Sequence, residues 1–178
     1  EITWFYVSTS NSAGTINPEP DSYVTYNYVE NAWSIGTMDR TVWSDSFGAR
    51  DVPFAFDPDG LLYNHETGTS DNGSAMSSYI ESSPREITQN GENLFMVDKV
   101  IPDVTMTSDT NLYFNLNSRK YPNATEVVKG PFTITSTTQK VSTRAKGRQI
   151  AMKIYSTGTT DEWSIGDFRI NAREDGLR

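Results

Sequence analysis

Apolar and polar positions alternate in short runs along this chain, and no window of a dozen residues keeps a helical period of 3.6. Leu112, Phe114 and Leu116 alternate with Tyr113, Asn115 and Asn117. Ile150, Met152 and Ile154 alternate with Ala151, Lys153 and Tyr155, and Val24, Tyr26 and Tyr28 with Tyr23, Thr25 and Asn27. Each run predicts a strand with one face in a core and the other wetter, because successive side chains leave a strand on opposite sides. Trp163 and Ile165 share one phase, whereas Phe168 and Ile170 fall on the other, with Gly166 between. That break predicts a bulge at Gly166 returning all four to one side. The pairs Asp59-Gly60, Asn72-Gly73, Asn90-Gly91 and Asp175-Gly176 supply hairpin-type turns. About a dozen strands are expected and less than about 10% helix.

Composition points the same way. Ser and Thr make 40 of the 178 residues and Leu only 6, and branched and aromatic side chains fit a pleated surface. The length suits one or two domains. Charged residues are 21% with no long single-sign run, which argues against wholesale disorder. The absence of cysteine excludes a disulfide scaffold, thiolate metal ligation and a cysteine nucleophile. No stretch approaches 18 consecutive apolar residues, so no membrane anchor is expected. The chain opens at Glu1 in the strand-like run Ile2 to Val7, with neither an initiator Met nor a basic-then-apolar leader, and reads as a fragment of a longer protein.

The polar segment Thr67 to Ser74 marks the expected boundary. Charge changes there too: residues 1–89 hold 3 basic and 13 acidic side chains, residues 90–178 hold 12 and 10. The expected fold is all-β with antiparallel sheets. Residues 1–72 would form partial, propeller-like blades of four strands, and residues 73–178 a β-sandwich. The sequence Trp-Ser-Ile-Gly occurs at Trp33–Gly36 and again at Trp163–Gly166, too short a match to define a repeat.

Candidate chemistry is sparse. His65, the single histidine, lies beside Glu66 without a second His or a Cys to complete a zinc set. Its bland role is a strand end. Asp57-Pro58-Asp59-Gly60 has too few acids for a calcium loop and reads as a turn. No Gly-x-Ser-x-Gly elbow and no phosphate-cradling glycine motif is present. No catalytic residue, metal site or cofactor is therefore expected. Trp4, Trp33 and Trp43 would make a sugar platform if exposed and core if not, core being the commoner fate. Lys140, Arg144, Lys146, Arg148 and Lys153 form one basic cluster without an intervening acid. Arg144, Lys146 and Arg148 alternate, which predicts a shared strand face of three charges for a neighbouring subunit or for DNA phosphates. A solvated face or a contact with a neighbouring subunit is the commoner fate of such a face.

Four segments, in order, carry a family resemblance: Tyr26–Thr41 (YNYVENAWSIGTMDRT), Asp57–Gly68 (DPDGLLYNHETG), Ser142–Gln149 (STRAKGRQ) and Ile170–Arg178 (INAREDGLR). They resemble the C-terminal portion of the tail nozzle, or packaged-DNA stabilisation, proteins of short-tailed bacteriophages and prophages, the tail tubular protein B family. The resemblance implies a non-enzymatic structural component of the virion tail, made in the host cytoplasm. Its partners would be the portal or adaptor ring, fibres or spikes, its own copies in a ring of six, and the packaged DNA passing through the channel. It also implies a β-propeller with added β-domains, which 178 residues cannot supply whole. A carbohydrate-binding β-sandwich and, more remotely, a fragment of a propeller hydrolase are the rival readings.

Overall fold

The computed structural model describes residues 1–12, 14, 18–87 and 93–176. The chain is nearly all β, with 53% of residues in strands and 2% in helix. It divides into two compact units, residues 1–67 and 68–178. The division falls inside the polar segment, five residues ahead of the expected 72/73 boundary, because the hairpin that follows belongs to the second unit.

The first unit contains β1 (Ile2–Tyr6), a single helical turn α1 (Thr9–Ser12), β2 (Ser22–Asn27), β3 (Ala32–Thr37), β4 (Val42–Ser44), β5 (Phe54–Phe56) and β6 (Leu62–Asn64). These form two antiparallel meanders, β1-β2-β3 and β4-β5-β6. Each has three strands among the described residues, not the four expected of a blade. Local chemistry sets the turns. Between β2 and β3, Asn27 Oδ1 accepts the N–H groups of Val29 and Glu30, and Asn31 takes a left-handed φ of 54°. Between β5 and β6, Asp57 Oδ1 accepts the Leu61 N–H at 2.8 Å and Gly60 supplies a φ of 83°.

The second unit contains β7 (Ser70–Asp71), β8 (Ser74–Ala75), β9 (Ser78–Glu81), β10 (Arg85–Glu86), β11 (Phe95–Ile101), β12 (Val104–Met106), β13 (Leu112–Arg119), β14 (Val127–Ile134), β15 (Val141–Gly147), β16 (Gln149–Ser156), β17 (Trp163–Ile165) and β18 (Arg169–Glu174). Asn72-Gly73 turns β7 into β8 with both residues at positive φ, as a two-residue hairpin loop requires. Asp175-Gly176 is not a hairpin turn: it closes β18 against Leu94 through two backbone hydrogen bonds of 2.8 Å. Asn90-Gly91 lies outside the described residues, as do the last two residues of the Ile170–Arg178 segment.

Two sheets make the body of this unit. One runs β10-β16-β13-β14 with β9 also on β16, and the other runs β15-β11-β18. Their inner faces meet in one core. Leu112, Phe114 and Leu116 of β13, Ile150 and Ile154 of β16 and Ile134 of β14 pack with Phe95, Val97 and Val100 of β11 and with Val141 and Ala145 of β15. This is a β-sandwich. Two of the runs read from sequence, on β13 and β16, supply one inner face in the predicted phase.

The expected bulge at Gly166 is absent. The chain instead changes sheets: β17 pairs with β12, β18 pairs with β11, and the Gly166 N–H donates to Asp103 O between them. The outcome for packing is the one predicted, since Trp163, Ile165, Phe168 and Ile170 all lie against the core. A register shift does occur on β11 between Val97 and Lys99, and it returns Val100 to the inside.

Gly130 in β14 is a second irregular point. Its φ is 130°, and a Cβ there would lie 2.6 Å from the Phe114 carbonyl oxygen. Gly130→Ala should therefore cost roughly 1–3 kcal/mol. The check is a urea titration: the midpoint should fall with an unchanged slope.

Candidate interaction surface

The five basic residues do not converge. Arg144 and Lys146 alternate on the exposed side of β15, as predicted. Arg148 leaves that alternation because β15 ends at Gly147. Its N–H donates to Arg119 O at 2.8 Å, its guanidinium donates to Lys120 O at 3.1 Å, and it stands over the Tyr121 ring. Lys153 lies on β16 in the other sheet, paired with Glu81 at 3.2 Å and set over the Tyr79 ring. Lys146 is paired with Asp175 at 2.7 Å. The three-charge strand face is thus reduced to Arg144 and a neutralised lysine, with Lys140 exposed just ahead of β15.

His65 sits in a small aromatic and cationic nest of the first unit. Its Nε2 accepts the Arg40 Nε–H at 3.2 Å, and its ring centroid is 4.7 Å from that of Trp43. Arg40 also stands 4.5 Å over the Tyr63 ring. Burial and then the Arg40 charge hold the His65 pKa below the ordinary value of 6.5, against a weaker opposing pull from Glu66. This histidine is neutral at pH 7. As pH falls below about 6.5 the unfolded chain takes up the proton first, so acid should weaken the first unit until the folded-state pKa is passed. An NMR titration of the imidazole protons should show a midpoint below 6.5. A midpoint at or above 6.5 would contradict the arrangement. Among the described residues no group of three or more His, Asp or Glu side chains could hold a metal.

The surface that stands out was not read from the sequence. The register Ile2–Tyr26–Trp33, Trp4–Val24–Ile35 and Tyr6–Ser22–Thr37 puts these nine residues on one face of the β1-β2-β3 sheet. The opposite face carries Phe5, Tyr23 and Thr25 and turns inward, with Phe5 5.4 Å from Trp43 of β4. On β2 burial does not follow one phase: Thr25 on the inner side and Ser22 on the outer side are both buried, and Val24 and Tyr26 are half-buried. On that outer face Trp4 is 45% exposed, Trp33 64% and Ile35 79%. Trp33 stacks on Tyr26 at 4.5 Å and on Trp4 at 6.0 Å. Trp43 lies against Phe5 and His65, so the three tryptophans do not share one face. With about 200 Å² for a fully open aromatic side chain, Ile2, Trp4, Tyr6, Trp33 and Ile35 leave on the order of 500 Å² of apolar face in solvent.

The rest of the first unit follows the same pattern. Its buried described residues are Ser22, Thr25 and Ala55, while Val42, Phe47, Phe56, Leu61 and Leu62 are all exposed. A missed signal was available: Ile2, Trp4 and Tyr6 alternate with Thr3 and Phe5, so both phases of β1 are apolar and one of them must face outward. No protein-family model matches the chain, and no curated protein matches its sequence.

Proposed function

We propose that this chain is a non-enzymatic structural part of the tail of a short-tailed phage or prophage, a surface over which other tail subunits close. The observation that carries the reading is the first unit's outward apolar side chains. A monomer's largest exposed apolar patch is about 300–600 Å² and is itself often functional. One side of a standard interface covers about 800 Å², so the aromatic face supplies an apolar centre of suitable size. The family resemblance supports the same reading. It gives the partners as the portal or adaptor ring, fibres or spikes and neighbouring copies around a DNA channel. Of the five basic residues of the cluster, Lys140 and Arg144 are the ones offered to a neighbouring subunit. Particles purified on a density gradient from lysates of cells carrying the gene should contain the chain in fixed proportion to the portal subunit. Recovery of the chain in the soluble fraction alone would overturn the proposal.

A carbohydrate-binding module is the second reading. It is favoured by a row of tyrosines, Tyr79, Tyr155 and Tyr113, that crosses β9, β16 and β13 on the outer side of the five-stranded sheet. Retention on an insoluble polysaccharide that is lost in Tyr79→Ala would raise it above the first.

A further inference from the structure

Strand β3 ends its sheet: among the described residues it pairs with β2 on one side and with no strand on the other. A free edge presents a row of unpaired N–H and C=O groups, and proteins blunt such edges with lysine, proline, charge or bulges. β3 has none of these. Its sequence is Ala-Trp-Ser-Ile-Gly-Thr, and its register with β2 runs through all six residues without a shift. Its two large side chains, Trp33 and Ile35, are the most exposed of the aromatic face.

We infer that β3 is a strand-addition site, on which a partner protein lays an extended segment that continues the sheet. Main-chain hydrogen bonds would supply affinity, and alternate apolar side chains of the segment would lie beside Trp33 and Ile35. Charge selects the partner. The first unit holds ten acidic and two basic side chains. Both bases are engaged within it, Arg40 on His65 and Tyr63 and Arg50 on Asn64 and Phe54. Glu1 and Glu30 flank one end of the sheet, Asp21 and Asp39 the other. The segment is therefore apolar where it lies beside Trp33 and Ile35 and basic at its two ends, next to those carboxylates. The same charge opposes edge-to-edge pairing of two copies of this unit, since like potentials repel. The inference does not depend on the chain's belonging to a phage tail.

The test uses the whole 178-residue chain with a nine-residue Val-Lys peptide, five residues alternating Val and Thr flanked by two Lys at each end, and a Val-Glu control with Glu in place of each Lys. The Val-Lys peptide should slow amide exchange in residues 32–37 and leave residues 112–116 unchanged. The Val-Glu peptide should do neither. Ile35→Lys should weaken binding at least about tenfold, which is about 1.4 kcal/mol, with the far-ultraviolet spectrum unchanged. Ser34→Lys serves as a second variant should the first misfold. The inference is overturned by unchanged exchange at β3, by equal slowing with both peptides, or by a concentration-dependent dimer that protects β3 without peptide.

Discussion

Replacing Phe114 by Ala should lower the stability of the second unit by about 3–5 kcal/mol, the range for deleting a buried phenylalanine ring. Phe114 is fully buried at the middle of β13. Its ring lies 6.3 Å from that of Phe132 on β14 and 6.0 Å from that of Phe168 in the β17–β18 connection. The side chain therefore links one sheet to the segment that crosses to the other. On its β16 side the strand pairs without a shift from Tyr113 to Arg119, so the site closes only partly over the hole. Domains of this size have total stabilities of about 5–15 kcal/mol, so the loss is a large part of the whole. A melting temperature lower by roughly 12–40 °C is expected at about 4–8 °C per kcal/mol. Calorimetry should show the shift in the transition of the sandwich. A fall of less than about 1 kcal/mol would mean that Phe114 is not at the centre of the core.

The contrast between the two units explains how much of this fold was legible. In the second unit each long strand has one apolar phase. Leu112, Phe114 and Leu116 face in and Tyr113 and Asn115 lie on the other side, so alternation alone gives both the strand and its core side. In the first unit both phases are apolar or aromatic, so alternation gives the strands and not their sides. Trp4 and Trp33 looked like core for that reason, and tertiary pairing placed them outside. The Gly166 break was visible in the sequence, but a change of partner strand and a bulge restore the same phase. Only pairing distinguishes them. The shared face of Arg144, Lys146 and Arg148 ended one residue short. Alternation holds only while the strand lasts, and β15 stops at Gly147, one residue before Arg148. Acidic partners for Lys146 and Lys153 came from Asp175 and Glu81, far away in sequence and invisible to a local reading.

Changing Trp4 and Trp33 together to Thr should abolish incorporation of the chain into particles while leaving its own fold intact. Aromatic residues at the centre of an interface are the common hot spots, each worth about 2 kcal/mol or more. Two that stack on each other act as one unit, so their loss should weaken association at least about a hundredfold, or about 2.7 kcal/mol. The cost to the free chain should be small. Both side chains are already largely in solvent, and both sit on strands where Thr is a good β-former. What the free chain loses is the ring stacking, about 0.5–1.5 kcal/mol per pair. The two readouts must therefore part company: particle content of the double variant should drop below detection while its urea midpoint moves only slightly. Phe5→Ala gives the opposite signature. Phe5 points to the inner side against Tyr23 and Trp43, so its removal should unfold the first unit before any interface is tested. Normal incorporation of the Trp4/Trp33 double variant would show that the exposed face is not where the tail closes on this chain.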